Sequence, residues 1–344
     1  MRIDAHYPII SGYDQKPTFG YFVHVADPLQ FRQLNAEVSV SPYHVHGEQR
    51  LHLNLEYQTP NWKLTYWHNL ADFYDLFGPV LRSRKGDAFL ASYNKPIIYD
   101  PPRQLDVFGS AAAYFGLDQL PGAQSIPSPK EIRSGEIGLR YTNTTKALGG
   151  VDHEKGVQAR IAVGADEAQG HFFPKIYGGV DYGVPLPFPN SSAWIYAHAG
   201  MVDGDRSSPL SAFYIGSFRN NYVDDRPEKR YRELESFPGF AIDEIEARRF
   251  ARLTGEVNLP PVRFAEVGTA AFYLSYIRPA VFAGAMATEA PDRSNHHYYD
   301  VGAQLDLNFT IALRLPMVFS VGAAGGWADG HYRKTEWLAS LKIM

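Results

Sequence analysis

The stretch YDVGAQLDLNFTIALRL, residues 299–315, sorts its side chains by odd and even position. Val301, Ala303, Leu305, Leu307, Phe309, Ile311, Leu313 and Leu315 form one series, and Gly302, Gln304, Asp306, Asn308, Thr310, Ala312 and Arg314 form the other. A period of two places each series on its own side of a β-strand. On a helix, Leu305, Asp306 and Asn308 would spread around the circumference and leave no continuous apolar stripe. Strands of globular sheets usually have about five or six residues, so this alternation calls for an extended element. Two environments accommodate one: a long strand in a soluble sandwich or barrel, or a tilted strand crossing an outer membrane with lipid on one side and polar packing on the other.

The same period recurs along the chain. Leu51, Leu53, Leu55 and Tyr57 alternate with His52, Asn54 and Glu56, and after a turn at Thr59, Pro60 and Asn61 the series Trp62, Leu64, Tyr66 follows, which reads as a hairpin. Segments such as LGGVDHEKG, DGDRSSP, DDRPEKR and EAPDRSNHH punctuate it with turn residues and charge. The pattern predicts sixteen strands, near 18–27, 30–40, 48–58, 61–69, 86–98, 103–116, 131–145, 155–166, 171–184, 191–202, 208–219, 243–259, 273–288, 298–313, 315–327 and 331–343, with 220–242 as the largest aperiodic section. So many long strands in one unit argue for closure, because an open sheet exposes two edges. Glu246, Arg248, Arg252 and Glu256 fall on one face, a charge density costly in a dry sandwich core and cheap in a wet or networked lumen. The expected fold is all-β: a closed antiparallel transmembrane β-barrel of sixteen strands, one domain over 1–344.

Composition limits the alternatives. The chain has 344 residues, is 45% apolar and 20% charged, and carries 22 Tyr and 21 Phe at a mean hydropathy of -0.28. It contains no apolar run of the length, about eighteen residues, that a membrane helix needs, while a barrel escapes that test because half of each strand is polar. The formal charge of -4 and pI near 6.3 supply no basic excess for a nucleic-acid partner. With no cysteine, thiol nucleophiles, disulfides and cysteine-ligated metals are excluded. The chain does not open on a basic segment, apolar core and cleavage site, so an exported form would be a mature or partial chain.

The segments YRELESFPGFAIDEIEARRFARLTGEVNLPPVRF (231–264) and YIRPAVFAGAMAT (276–288) resemble the C-terminal barrel of the bacterial surface-antigen superfamily, which includes outer-membrane assembly factors and two-partner secretion transporters. The resemblance is closest to barrels that follow TolB-like propeller domains. It implies a long extracellular loop, 220–242, folded into a sixteen-strand barrel, with Phe237, Pro238, Gly239 and Phe240 at the loop tip. Glu256 ahead of Pro260 and Pro261 matches the family's strand glutamate, and Phe282-Ala283-Gly284 matches a later strand that packs the barrel. The family tip carries Arg-Gly-aromatic, whereas Pro238 stands in the arginine's position here, so Arg232, Arg230 or Arg248 would have to supply the cation. The lumen network implied is Arg232, Glu246, Arg248, Arg252 and Glu256, with Phe282 and Gly284 as packing residues. The terminal TEWLASLKIM is similar to a barrel-assembly signal, with Met344 where an aromatic usually ends it.

Other chemistry is sparse. His44 with His46, and His296 with His297, lack a visible third ligand and read as loop histidines. The sequence shows no nucleophile elbow and no glycine-rich phosphate loop ending in Lys-Ser or Lys-Thr. No catalytic, cofactor-binding or metal residue is assigned, and enzyme activity is not expected. The expected function is an outer-membrane barrel with a translocation or assembly role and a plugged lumen. Its partners would be outer-membrane lipids and lipopolysaccharide, together with a periplasmic partner or an upstream domain. A passive porin and a structural or adhesive surface barrel are the alternatives.

Overall fold

The computed structural model describes residues 1–13, 16–42, 50–69, 84–119, 130–219, 223–224 and 229–343. Twenty strands occur among them: β1 Arg2–Tyr13, β2 Lys16–Ala26, β3 Gln33–Val40, β4 Leu51–Gln58, β5 Trp62–His68, β6 Arg84–Asp100, β7 Arg103–Gln119, β8 Ile132–Thr145, β9 Lys155–Ala168, β10 His171–Pro185, β11 Ser192–Val202, β12 Phe213–Ile215, β13 Val223–Asp224, β14 Ile245–Ala247, β15 Arg249–Asn258, β16 Val262–Arg263, β17 Phe272–Glu289, β18 Asn295–Ile311, β19 Leu315–Ala328 and β20 His331–Ile343. Antiparallel ladders join β1 to β11 in chain order and continue through β15, β17, β18, β19 and β20. β16 adds to β17, and β13 lies parallel to β20, Val223 and Asp224 beside Leu341 and Lys342. These eighteen strands form one sheet, seventeen of them antiparallel, and β12 with β14 forms a separate two-stranded sheet.

Local chemistry explains the turns. Gln169-Gly170 and Asp329-Gly330 join their strands with both residues at positive φ, the twist that two-residue hairpin loops require. The quoted stretch does not run unbroken to Leu315. Ala312 and Leu313 adopt φ of 51° and 60°, so β18 ends at Ile311 and β19 starts at Leu315.

The expectation of a closed barrel is corrected. Among the described residues β1 pairs only with β2, and β20 pairs with β19 and β13, so the sheet has two ends and does not close. Closure is what would satisfy the edge N–H and C=O groups of strands in hydrocarbon. The transmembrane barrel therefore falls, and with it the membership in the surface-antigen superfamily, the translocation, porin and surface-barrel roles, the lipid, lipopolysaccharide and periplasmic partners, and the outer-membrane location. No helix among the described residues is long and apolar enough to cross a membrane. Strand placement also differs in detail. Arg2–Tyr13 forms a strand where none was predicted, while 208–219 holds a short 3-10 turn at Pro209–Ser211 and the three residues of β12. The predicted strand 243–259 breaks at Arg248 into β14 and β15.

The alternation produces two faces, and the polar one is covered. Along β15, Phe250, Arg252, Thr254, Glu256 and Asn258 are buried, while Leu253 is 54% exposed. Along β18, Asp300, Gln304 and Asp306 are buried while Val301 is 56% exposed. The cover comes from the chain between β11 and β15. Its Ile215, Phe237, Phe240, Ile245 and Ala247 pack with Phe250, Met286 and Ala328 of the sheet, and its Phe218 and Tyr231 pack with Phe282, Ala324 and Leu338. Burial of these rings offsets the cost of covering polar side chains that must then find partners within the protein.

Candidate functional site: a segment held on a charged sheet face

Of the aperiodic section 220–242, residues 223–224 and 229–242 are described, and 220–222 and 225–228 lie outside the described residues. The covering segment is shaped by its own sequence. Ser208 caps the turn at Pro209–Ser211 by accepting from the Leu210 N–H, and Pro209 fits the first turn because it has no N–H to satisfy. Gly239 has φ of +87°, and a Cβ there would stand 2.6 Å from the Gly326 nitrogen of β19. Glycine on both sides thus lets the Pro238-Gly239 turn approach the β19 backbone directly. Glu336 of β20 holds the turn in place, accepting from the Phe218 N–H at 3.1 Å and the Gly239 N–H at 3.0 Å. Phe240 meets Tyr298 edge-on at 5.5 Å, and Tyr231 stacks on Phe282 with centroids 4.3 Å apart. Gly284 leaves room for its neighbours: a Cβ there would meet Asp300 Oδ1 at 2.5 Å and Phe237 Cε2 at 3.3 Å.

Beneath the aromatics lies a charge-balanced set. Arg232 donates to Glu256 through Nε at 2.9 Å and Nη2 at 2.6 Å, and Nη2 also reaches Asp152 at 2.9 Å. Lys229 donates to Asn258 and stands 3.8 Å from both Asp152 and Glu256. Arg278 pairs with Asp306 at 3.0 Å and lies 3.8 Å from Asp152, and Asp306 also accepts from Ser320 and Gln304 at 2.7 Å. Burial pushes Glu256 up, but the charges of Arg232 and Lys229 outweigh it and hold the carboxyl at about 2. Asp152 is held well below the usual carboxylate range: burial opposes this, and Arg232, Lys229 and Arg278 overcome it. Burial brings Lys229 down to about 8 against the pull of Glu256. Each carboxylate of the set has a cation at hand, so the arrangement is suited to holding the segment.

Arg252 of β15 contacts the segment through the main chain. Its guanidinium donates to the carbonyls of Tyr231 at 2.6 Å, Glu233 at 2.7 Å and Ser236, while Nε donates to Thr254 Oγ1 at 3.0 Å. Burial lowers it to about 10, with Asp300 and Asp181 pulling the other way. Asp300, on the same face, is raised by burial to about 7 against the charge of Arg252 and the Gly284 N–H. Burial likewise raises Glu336 to about 7, opposed by the Phe218 and Gly239 N–H groups.

Of the residues singled out in the sequence, Arg232, Arg252, Glu256, Phe282, Gly284 and the 237–240 turn come together. Glu246 and Arg248 stand apart: Glu246 is exposed on β14 and accepts from the Tyr214 hydroxyl at 3.2 Å, and Arg248 donates to Gly204 O and Asp203 at 3.0 Å. Among the three candidate cations Arg232 reaches Glu256, whereas Arg230 pairs with Glu233 at 3.1 Å. Asp152, Lys229, Arg278, Asp306 and Glu336 were not foreseen. Asp306 and Arg278 carried a signal, a charge on the polar face of a long strand, while Asp152 and Lys229 sit in stretches that read as ordinary charged turns. His296 is occupied by Asp329 and Ser294, each at 2.8 Å, and His44 and His46 lie outside the described residues. Between the segment and β8–β11 a cavity of about 440 Å³ remains, with Arg140, Arg160, Tyr177 and His198 among its walls. No family model and no curated protein matches the chain.

Proposed function

We propose that the protein is a non-enzymatic binding scaffold whose polar sheet face is held shut by its own segment 229–247. The observation that carries this reading is the buried Arg252 guanidinium, which donates to three main-chain carbonyls of the segment. Main-chain bonds of this kind set the path of the segment whatever its side chains, and the Arg232–Glu256 pair adds a charge register. With the segment lifted, Arg252, Glu256 and Asp306 would lose or expose their partners and accept water or a polar ligand instead. Ligand access to this face is thus coupled to how tightly the segment is held.

Hydrogen exchange read by mass spectrometry tests the reading. Arg252→Met keeps the length of the side chain and removes its donors. At ~0.5–1.5 kcal/mol for each bond lost, exchange in 229–247 is expected to rise by at least about tenfold, while β8–β10 stay protected. An unchanged segment, or a loss of protection spread evenly over the sheet, contradicts the latch.

A further inference from the structure

The strand register on the polar face sets cations side by side. Arg140 of β8 lies opposite Arg160 of β9, Arg160 opposite Gly179 of β10, Gly179 opposite His198 of β11, and His198 opposite Arg252 of β15. Like charges directly opposite one another destabilise a sheet, so the row calls for a counter-charge. Arg252 is buried and finds carbonyls in the segment, whereas Arg140 and Arg160 are exposed. Both stand against the Phe108 ring, Cζ 5.2 and 4.6 Å from its centroid, and a ring quadrupole attracts a cation without neutralising it. Arg140 makes no ion pair among the described residues. Asp106, opposite it on β7, accepts from Gln104 Nε2 on both oxygens at 2.9 Å. Arg160 donates to the Tyr177 hydroxyl at 3.2 Å and pairs with Glu136 at 3.5 Å.

These two guanidiniums line the 440 Å³ cavity beside the segment. Of the acids on its walls, Asp152 is committed to Arg232 at 2.9 Å and Glu233 to Arg230 at 3.1 Å, while Asp181 pairs with His198 Nε2 of the row at 3.1 Å. His198 lines the same cavity with its side chain 10% exposed and its Nε2 held by Asp181. Its Nδ1 is buried and has no hydrogen-bond partner among the described residues. The ring takes the space that a side chain at position 179 would fill, since a Cβ on Gly179 would lie 2.8 Å from His198 Nε2. A cavity of this size falls in the range of ~300–1,000 Å³ typical of small-molecule sites.

We propose that this cavity binds a small organic oxyanion, a carboxylate or phosphate compound, between the Arg140 and Arg160 guanidiniums. Paired oxygens of either group match the guanidinium fork. The proposal rests on the reading of the protein as a binding scaffold.

Calorimetric titration of the full chain at low salt, with inorganic phosphate and separately with succinate, tests it. Saturable binding of at least one probe is expected, weakened at least tenfold in Arg140→Gln and in Arg160→Gln. Arg133→Gln should leave it unchanged, because Arg133 is exposed and pairs with Glu167. Phosphate alone would mark a phosphate compound, and succinate alone a carboxylate. The proposal is overturned if neither probe binds the folded wild-type chain, or if binding survives in the double glutamine variant. Should that variant not fold, Arg140→Lys decides: it keeps the charge but loses the fork, and affinity within about twofold of wild type rejects the site. Exchange of 229–247 in the same samples separates the two readings. A protected segment with no anion bound removes this site alone, and an unprotected segment in the wild type removes the scaffold reading.

Discussion

Replacing Glu256 by glutamine preserves the shape of a side chain that is 2% exposed and removes one charge from the set that holds the segment. In the native protein Glu256 receives Arg232 on both oxygens, at 2.9 and 2.6 Å, and has Lys229 at 3.8 Å. Taking one partner from a buried pair usually costs ~3–5 kcal/mol, because the surviving charge stays out of water. Asp152 remains 2.9 Å from Arg232 and 3.8 Å from Lys229, so the lower end, about 3 kcal/mol, is expected. The depressed carboxyl gives a second route to the magnitude. Glu256 sits at about 2 in the folded protein against an ordinary 4.5, and each unit corresponds to ~1.4 kcal/mol. A depressed carboxyl contributes stability that is present above its unfolded value and is lost as pH falls toward its folded one. This again amounts to about 3 kcal/mol. Urea unfolding followed by near-ultraviolet circular dichroism should show that gap between wild type and Glu256→Gln at pH 7, narrowing to about 1 kcal/mol at pH 3. A gap below about 1 kcal/mol at neutral pH, or one that does not narrow in acid, refutes the reasoning.

Gly239→Ala combines a positive φ with a Cβ 2.6 Å from the Gly326 nitrogen, whereas Gly330→Ala has a similar φ and open space around it. The first should cost about 2–5 kcal/mol and the second about 1–2 kcal/mol in urea unfolding, the difference being the blocked approach to β19. Equal losses would show that the 237–240 turn does not pack there. Asp300, raised to about 7, keeps a proton in the folded state that the unfolded chain has released. Stability should therefore fall as pH rises from about 4 to about 7 and level off above. Asp300→Asn should remove about 4 kcal/mol of that decline, leaving the part due to Glu336. Parallel pH–stability curves for wild type and variant would contradict the assignment.

How much of this was readable before folding depends on the range of the interaction concerned. Strand character is local, so the alternation at 299–311 marked β18, and Asp329-Gly330 marked its own turn through the φ that only a few residues tolerate. The alternation in Arg2–Tyr13 is interrupted at the apolar pair Ile9-Ile10, and that strand was missed. At 208–219 a weak alternation suggested a strand, but Pro209 starts a 3-10 turn and only Phe213–Ile215 is extended in a ladder. Arg248 and Arg252 looked alike, four residues apart on one pattern. The break between β14 and β15 sends Arg248 to the Asp203 turn and leaves Arg252 beneath the segment.

The sequence by itself determined that the chain is all-β and that its long strands have unlike faces, because a two-residue period depends only on neighbours. It also marked Arg252 and Glu256, on the polar series of one strand, as charges needing partners. Whether β1 would meet β20 lay beyond it, since pairing between strands more than 300 residues apart leaves no trace in local periodicity. The identity of the covered face lay beyond it too. Alternation says that two faces differ, and only the tertiary structure, by laying 229–247 across the charged one and bringing Asp152, Arg278 and Glu336 to it from three separate parts of the chain, decided that the polar side chains would be the buried ones. Arg232, Lys229 and Arg278 are tolerated there because Glu256, Asp152 and Asp306 stand beside them within the fold.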